Sequence, residues 1–243
     1  MRLALLSSTV AVCIATSAFA QEYVEFQSMQ DRFSIVFPAQ PTVTETTYTS
    51  EFKSVLPSRI YSVDQGQSHF KVTVVDYTNI QAIATEKAKS CPAGAETCLG
   101  TPTDQSSTGA GYWKPDIEGA VVHATWELMQ RPDEKVVYLG WTNMNEVEGH
   151  MMNLVNEKTR ARTSAAIYMH ENKLYIIEGT VPAGYPVPDF FQQSVGWLDE
   201  NGHDIRYLTI YHNGFPKPAV RGQDAGARGA AAGNGGRGGR GNQ

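Results

Sequence analysis

A surplus of basic charge is missing from this sequence. Its 243 residues carry 20 Lys and Arg against 25 Asp and Glu, a formal net charge of −5. That balance argues against a uniformly basic, nucleic-acid-binding surface. Long apolar runs are missing too: no internal stretch approaches the roughly 18 apolar residues of a membrane-spanning helix. Cysteine is scarce, with three in all. No Asn-x-Ser/Thr glycosylation acceptor occurs, which is compatible with a bacterial periplasmic origin. There is no internal repeat at a fixed period and no Gly-rich phosphate loop. What is present suits a packed core: 41% of residues are hydrophobic and 19% charged, so global disorder is excluded. The length fits one sizeable domain or two small ones.

The first twenty residues read as an export signal. Met1-Arg2 is a short positive start, and Leu3 to Ala15 is an apolar run broken only by Ser7, Ser8 and Thr9. Ala18-Phe19-Ala20 is the small-x-small pattern of a signal-peptidase site, so cleavage is expected between Ala20 and Gln21. Cys13 follows Val12, where a lipid-attachment motif needs a small residue. The mature chain is expected to be soluble and periplasmic or secreted.

Two cysteines then remain, Cys91 and Cys98, flanking Pro92 and Gly94. An even pair in an oxidising compartment reads as a disulfide. Six intervening residues fit poorly with a redox pair, which normally uses C-x-x-C.

From residue 221 to 243 the composition changes. Nine of these residues are Gly and five Ala, with no aromatic or β-branched side chain. Such a segment buries too little to offset its ordering entropy, so a disordered, low-complexity tail is expected. It holds Arg221, Arg228, Arg237 and Arg240 and one acid, Asp224, a net charge of +3. Residues 21–220 carry 15 basic and 24 acidic residues, a net charge of −9. The run Gly235-Gly-Arg-Gly-Gly-Arg-Gly241 resembles the arginine–glycine boxes of RNA-binding proteins. The export signal argues against that use. The arginines are instead candidates for electrostatic contact with anionic lipid or polysaccharide, or with the acidic body itself.

Between signal and tail the pattern is mixed. Arg32-Phe-Ser-Ile-Val-Phe, closed by Pro38, reads as a first strand. Residues 58–77 read as a hairpin turning at Gly66, with Phe70, Val72 and Val74 on one face and His69, Lys71 and Thr73 on a wet one. Residues 80–89 read as a short helix and 100–112 as an exposed loop. Over 116–130, Ile117, Ala120, Val121, Ala124 and Leu128 follow helical spacing, with Asp116 as cap. A rival strand pattern runs through Val122, Ala124, Trp126 and Leu128. Residues 135–144 and 149–156 are strand-like, and 163–169 with 173–181 form a second hairpin. Pro188 is expected to open a helix ending at Asn201-Gly202, with Phe191, Ser194, Val195 and Leu198 on one side. Residues 206–211 close as a strand. The sum is a single α+β domain, an antiparallel sheet with helices packed against it.

Phe33-Ser-Ile-Val-Phe-Pro38, the strand start Lys173-Leu-Tyr175, and Phe191-x-x-Ser194 together resemble the PsbP-like α/β sandwich of exported bacterial proteins. The resemblance spans roughly residues 26 to 211; the cysteine loop and arginine tail fall outside it. That family includes photosystem accessory subunits, which help bind a larger assembly and are not enzymes. The resemblance therefore implies a binding or accessory role.

Catalytic motifs are mostly excluded. His170-Glu171 opens like the zinc-protease H-E-x-x-H, but Leu174 stands where the second histidine belongs. In Asp199 to Asp204 the glycine falls at the fourth position, not the sixth that a calcium loop needs. Gln192 to Gly196 lacks the first glycine of a serine-hydrolase elbow. His69, His123, His150, His170, His203 and His212 are scattered without metal-ligand spacing. Trp113, Trp126, Trp141, Trp197 and Tyr185 are candidates for a pocket as well as for the core. No cofactor and no metal are expected. The expected function is a non-enzymatic periplasmic accessory or binding protein for an envelope partner. The alternative is an enzyme whose site gathers distant histidines and carboxylates. An apolar patch or exposed sheet edge would favour the first; a cleft of histidines and carboxylates would favour the second.

Overall fold

The computed structural model describes residues 23–93, 96–100, 108–213 and 218–221. Two antiparallel sheets face each other. The larger has seven strands in the order β3 (Thr42–Thr49), β4 (Val55–Gln65), β5 (Ser68–Asp76), β9 (Lys173–Val181), β8 (Arg162–His170), β7 (Val147–Asn156) and β6 (Glu134–Met144). The smaller has four: β1 (Val24–Ser28), β2 (Phe33–Phe37), β10 (Gly196–Leu198) and β11 (Asp204–Ile205). Helices α1 (Ile80–Lys89) and α3 (Trp113–Met129) cover the outer face of the large sheet. The short helices are α2 (Glu96–Leu99) and α4 (Asp189–Gln193).

Alternation along the central strands builds two cores from one sheet. On β9, Tyr175 and Ile177 enter the core between the sheets with Phe33, Phe37 and Trp197. Leu174 and Ile176 of the same strand enter the core beneath the helices with Ala120, Ala124 and Leu128. β8 and β9 are therefore buried on both faces. Their turn places Glu171 and Asn172 both at positive φ, and Asn145 and Glu146 do the same between β6 and β7. Paired positive φ values match the right-handed twist of the flanking strands.

Residues 80–89 are helical as expected, and α3 confirms the helical rather than the strand pattern, since Val122 and Trp126 point outward. Asp116 is no cap. α3 starts three residues earlier at Trp113, after Tyr112 in the left-handed region. The Asp116 side chain is buried, and Ser50 Oγ donates to its Oδ2 at 2.5 Å. The face of β5 carrying His69, Lys71 and Thr73 is not uniformly wet: Lys71 is half-buried in an ion pair with Glu178, and Val75 lies under the helices.

Three expectations fail for physical reasons. The helix after Pro188 ends at Gln193, because Trp197 is worth more to the core than to a helix stripe. Trp197 is wholly buried, with its ring centroid 5.5 Å from Tyr168 and 5.0 Å from Tyr175, and its strand pairs with β2. Ser194 marks the break: its hydroxyl donates to Phe191 O and accepts the Val36 N–H. No strand forms over the expected range 206–211: β11 ends before it at Ile205, and the range holds only two isolated bridges, Tyr207 with Val220 and Tyr211 with Val147. There the Tyr207 and Tyr211 rings stack beside buried His170 instead. In the expected loop over 100–112, the described part is not exposed. Gly109 and Gly111 are buried, and Gly100 bridges Ala110. At Gly111, φ is +63° and a Cβ would stand 2.4 Å from Ala84 O, so only glycine lets this segment meet α1. The remainder, 101–107, lies outside the described residues, as do Ala20, Gln21, Arg228, Arg237 and Arg240.

Candidate docking face and groove

Both edges of the large sheet are long strands, and their chemistry differs. β3 reads Thr-Val-Thr-Glu-Thr-Thr-Tyr-Thr and is exposed along most of its length. β6 carries no charge from Val136 to Met144. It presents Val137, Tyr138, Leu139 and Trp141 to solvent, Trp141 with 76% of its surface exposed. The register slips between Val136 and Tyr138, a bulge at Val137. An edge strand normally bears charges, proline or a bulge against unwanted pairing. β6 has the bulge, and its only charges are Glu134 and Lys135 at one end. Beside it, α3 turns Val122, Trp126 and Met129 outward, and Val122 shares the lining of one groove with Trp141 of β6.

A groove of about 310 Å³ lies at the junction of α3, β6 and β7. Ile117, Val121, Met169 and Tyr211 give it apolar walls; Glu118, Glu148, His150 and Trp141 add polar and aromatic ones. The register places Trp141 opposite His150, and their ring centroids are 4.9 Å apart, edge to face. Thr125 fixes the imidazole. Its hydroxyl donates to Val121 O at 2.7 Å, so in the 2.8 Å contact with His150 it is Nδ1–H that donates to Thr125 Oγ1. In the neutral ring Nε2 is then the acceptor. Burial lowers the His150 pKa, which favours that neutral form.

The other histidines have separate local partners. His69 pairs with Asp64, His123 with Glu127, and His203 with Asp199. His170 meets the Tyr207 hydroxyl at 2.8 Å inside the core. His212 lines the same groove as His150. Among the described residues no three His, Cys, Asp or Glu side chains are grouped to hold a metal ion. The candidate aromatics also part: Trp197 is core, Trp113 lines an adjoining cleft of about 350 Å³, and Tyr185 lines another of about 560 Å³ with Tyr23 and Phe190. Trp126 is exposed on α3 with its ring stacked on His123, and Trp141 is exposed on β6.

Cys91 and Cys98 are disulfide-bonded, with Cα atoms 6.0 Å apart, tying the end of α1 to α2. Arg221 is exposed, and its N–H donates to Arg206 O. Among the described residues no helix is long and apolar enough to cross a membrane.

Buried charge elsewhere is neutralised within the fold. Asp31 is wholly buried and accepts two bonds from the Arg59 guanidinium and one from the Tyr61 hydroxyl at 2.7 Å, with Lys173 at 3.5 Å. Burial, above all, and the Asp31 bond push the Tyr61 pKa up to about 12. Glu178 lies between Lys71 and Arg131.

No family model matches the chain, and no curated protein does. Among solved structures it is similar to the solution structure of cyanobacterial PsbP (CyanoP) from Synechocystis sp. PCC 6803. Sequence identity is 12% and the TM-score 0.36, over 73% of this chain and 87% of that one. The likeness concerns the sandwich architecture alone.

Proposed function

We propose that this is an exported, periplasmic accessory protein that docks an extended, apolar segment of an envelope protein against β6. The exposed, uncharged edge of β6, whose Trp141 shares a groove lining with Val122 of α3, carries the reading. A strand edge offers unpaired N–H and C=O groups, and strand addition satisfies them while side-chain contacts give specificity. The polar Thr and Glu side chains of β3 make the opposite edge a poor match for an apolar segment. Export rests on the pattern around Ala18-Phe-Ala20.

The test compares the full chain with a Val137→Lys/Leu139→Lys variant. Envelope proteins captured by the wild type should be lost with the variant, and bound partner should slow deuterium exchange of β6 amides. Equal capture by both, or protection confined to β3, would overturn the reading.

One observation favours the enzymatic alternative: the groove brings His150, His212, Glu118 and Glu148 together. Its described lining contains no serine, cysteine or lysine, so His150 Nε2 would have to act as a general base on water or substrate. An activity lost in His150→Ala but kept in Val137→Lys/Leu139→Lys would favour that reading.

A further inference from the structure

The groove beside β6 is rich in acceptors. Among the described residues neither Glu118 nor Glu148 has an ion-pair partner within 4.0 Å. His150 presents Nε2 as an acceptor, and the exposed Trp141 indole offers a flat face. Lys114 lines the adjoining cleft and sits 5.5 Å over the Trp113 ring. Two carboxylates, one imidazole acceptor and one indole complement a planar cation with several donors. A guanidinium has that form: it stacks on an aromatic face and forks its N–H groups to carboxylates, which an ammonium does not.

The chain supplies such groups itself. Arg228, Arg237 and Arg240 follow Arg221, with Asp224 the single acid among them. The last described residues lie near the groove: Val220 bridges Tyr207, whose ring centroid is 5.0 Å from that of Tyr211, a groove wall. Arg228 is seven residues beyond Arg221, a reach of about 23 Å in extended chain. Residues 21–220 carry −9 and residues 221–243 carry +3, so attraction favours return to the body. Tethering also makes the encounter intramolecular, with an effective concentration of the order of millimolar for short flexible linkers.

We propose that the groove formed by Glu118, Trp141, Glu148 and His150 is a guanidinium-binding site, and that an arginine of residues 222–243 occupies it. The segment then acts as an internal ligand that an arginine-bearing partner must displace. This goes beyond the strand-docking role of β6 and does not depend on it.

The readout is the indole N–H resonance of Trp141 in the full chain, assigned by its disappearance in Trp141→Phe. The resonance should move in an Arg228→Gln/Arg237→Gln/Arg240→Gln variant, in Glu118→Gln/Glu148→Gln, and in the wild type at 1 M salt. The buried Trp197 indole should stay in place throughout. A synthetic peptide of residues 222–243, added to the triple-arginine variant, should restore the wild-type position saturably. The same peptide with lysine for arginine should need several-fold more to do so. An unchanged Trp141 resonance in the triple-arginine variant and at high salt would overturn the proposal. So would arginine-dependent binding of the wild type to phosphatidylglycerol vesicles while those tests leave Trp141 unmoved, which would assign the arginines to an anionic surface instead.

Discussion

Asp31 is wholly buried, and the side chains that neutralise it are nearly so: Arg59 is 12% exposed and Lys173 11%. Removing one partner of a buried pair leaves the other charge uncompensated, at a cost of about 3–5 kcal/mol. Asp31→Ala should therefore lower unfolding free energy by that order in urea titration, and a loss under 1 kcal/mol would refute the account. Glu178 adds a pH dependence. Burial alone would raise its pKa, but the Arg131 hydrogen bond and the Lys71 and Arg131 charges hold it below the usual 4.5. A folded-state pKa below the unfolded one contributes stability above about pH 4.5, lost as pH falls through the folded value. Glu178→Gln should thus be less stable than wild type at pH 7, with the gap closing as pH falls below 4.5. A gap independent of pH between 7 and 3 would show that the charge is not the source.

At the scale of elements, local signals were legible in the sequence and distant ones were not. The β4–β5 and β8–β9 hairpins could be read because alternation and turn residues sit within a few positions of each other. β3 was missed because a Thr- and Glu-rich run has no hydrophobic alternation; it is a strand only because β4 pairs with all of it. Residues 196–198 were misread because what holds them is Trp197 meeting Tyr168 and Tyr175, far away in sequence. The groove was invisible for the same reason, since its walls come from residues 117–122, 141, 148–150, 169 and 211–213. One further local signal is the run of nine uncharged residues from Val136 to Met144, which leaves the bulge as the main protection of the β6 edge. Leu139 is exposed, so Leu139→Lys should change stability by less than about 0.5 kcal/mol. It should also slow light-scattering growth in concentrated wild-type-like conditions; faster growth would contradict the edge as the aggregation site. The Cys91–Cys98 link closes a short loop, so reduction should cost about 2.5 kcal/mol on the chain-entropy relation. A urea midpoint unmoved by reductant would show that α1 and α2 hold without it.

For the whole molecule, the large sheet makes two cores inseparable. Tyr175 and Ile177 serve one core, Leu174 and Ile176 the other, and all four share a single strand. β8 repeats this, with Ala166 and Tyr168 facing the small sheet and Ala165 and Ile167 facing the helices. The small sheet cannot leave without exposing one side of β9, nor the helices without exposing the other. Unfolding should therefore be one transition, in which near-ultraviolet signals from Trp197 and far-ultraviolet backbone signals coincide. Ile35→Val, in the core between the sheets, should cost about 0.5–1.5 kcal/mol, and Leu154→Ala, beneath the helices, about 2–5 kcal/mol. The two sites lie on opposite faces of the large sheet and share no cluster. Their effects should add to within about 0.5 kcal/mol in the double variant, still as one transition. Two resolved transitions, one shifted by each substitution, would mean that the layers fold independently and that β8 and β9 do not couple them.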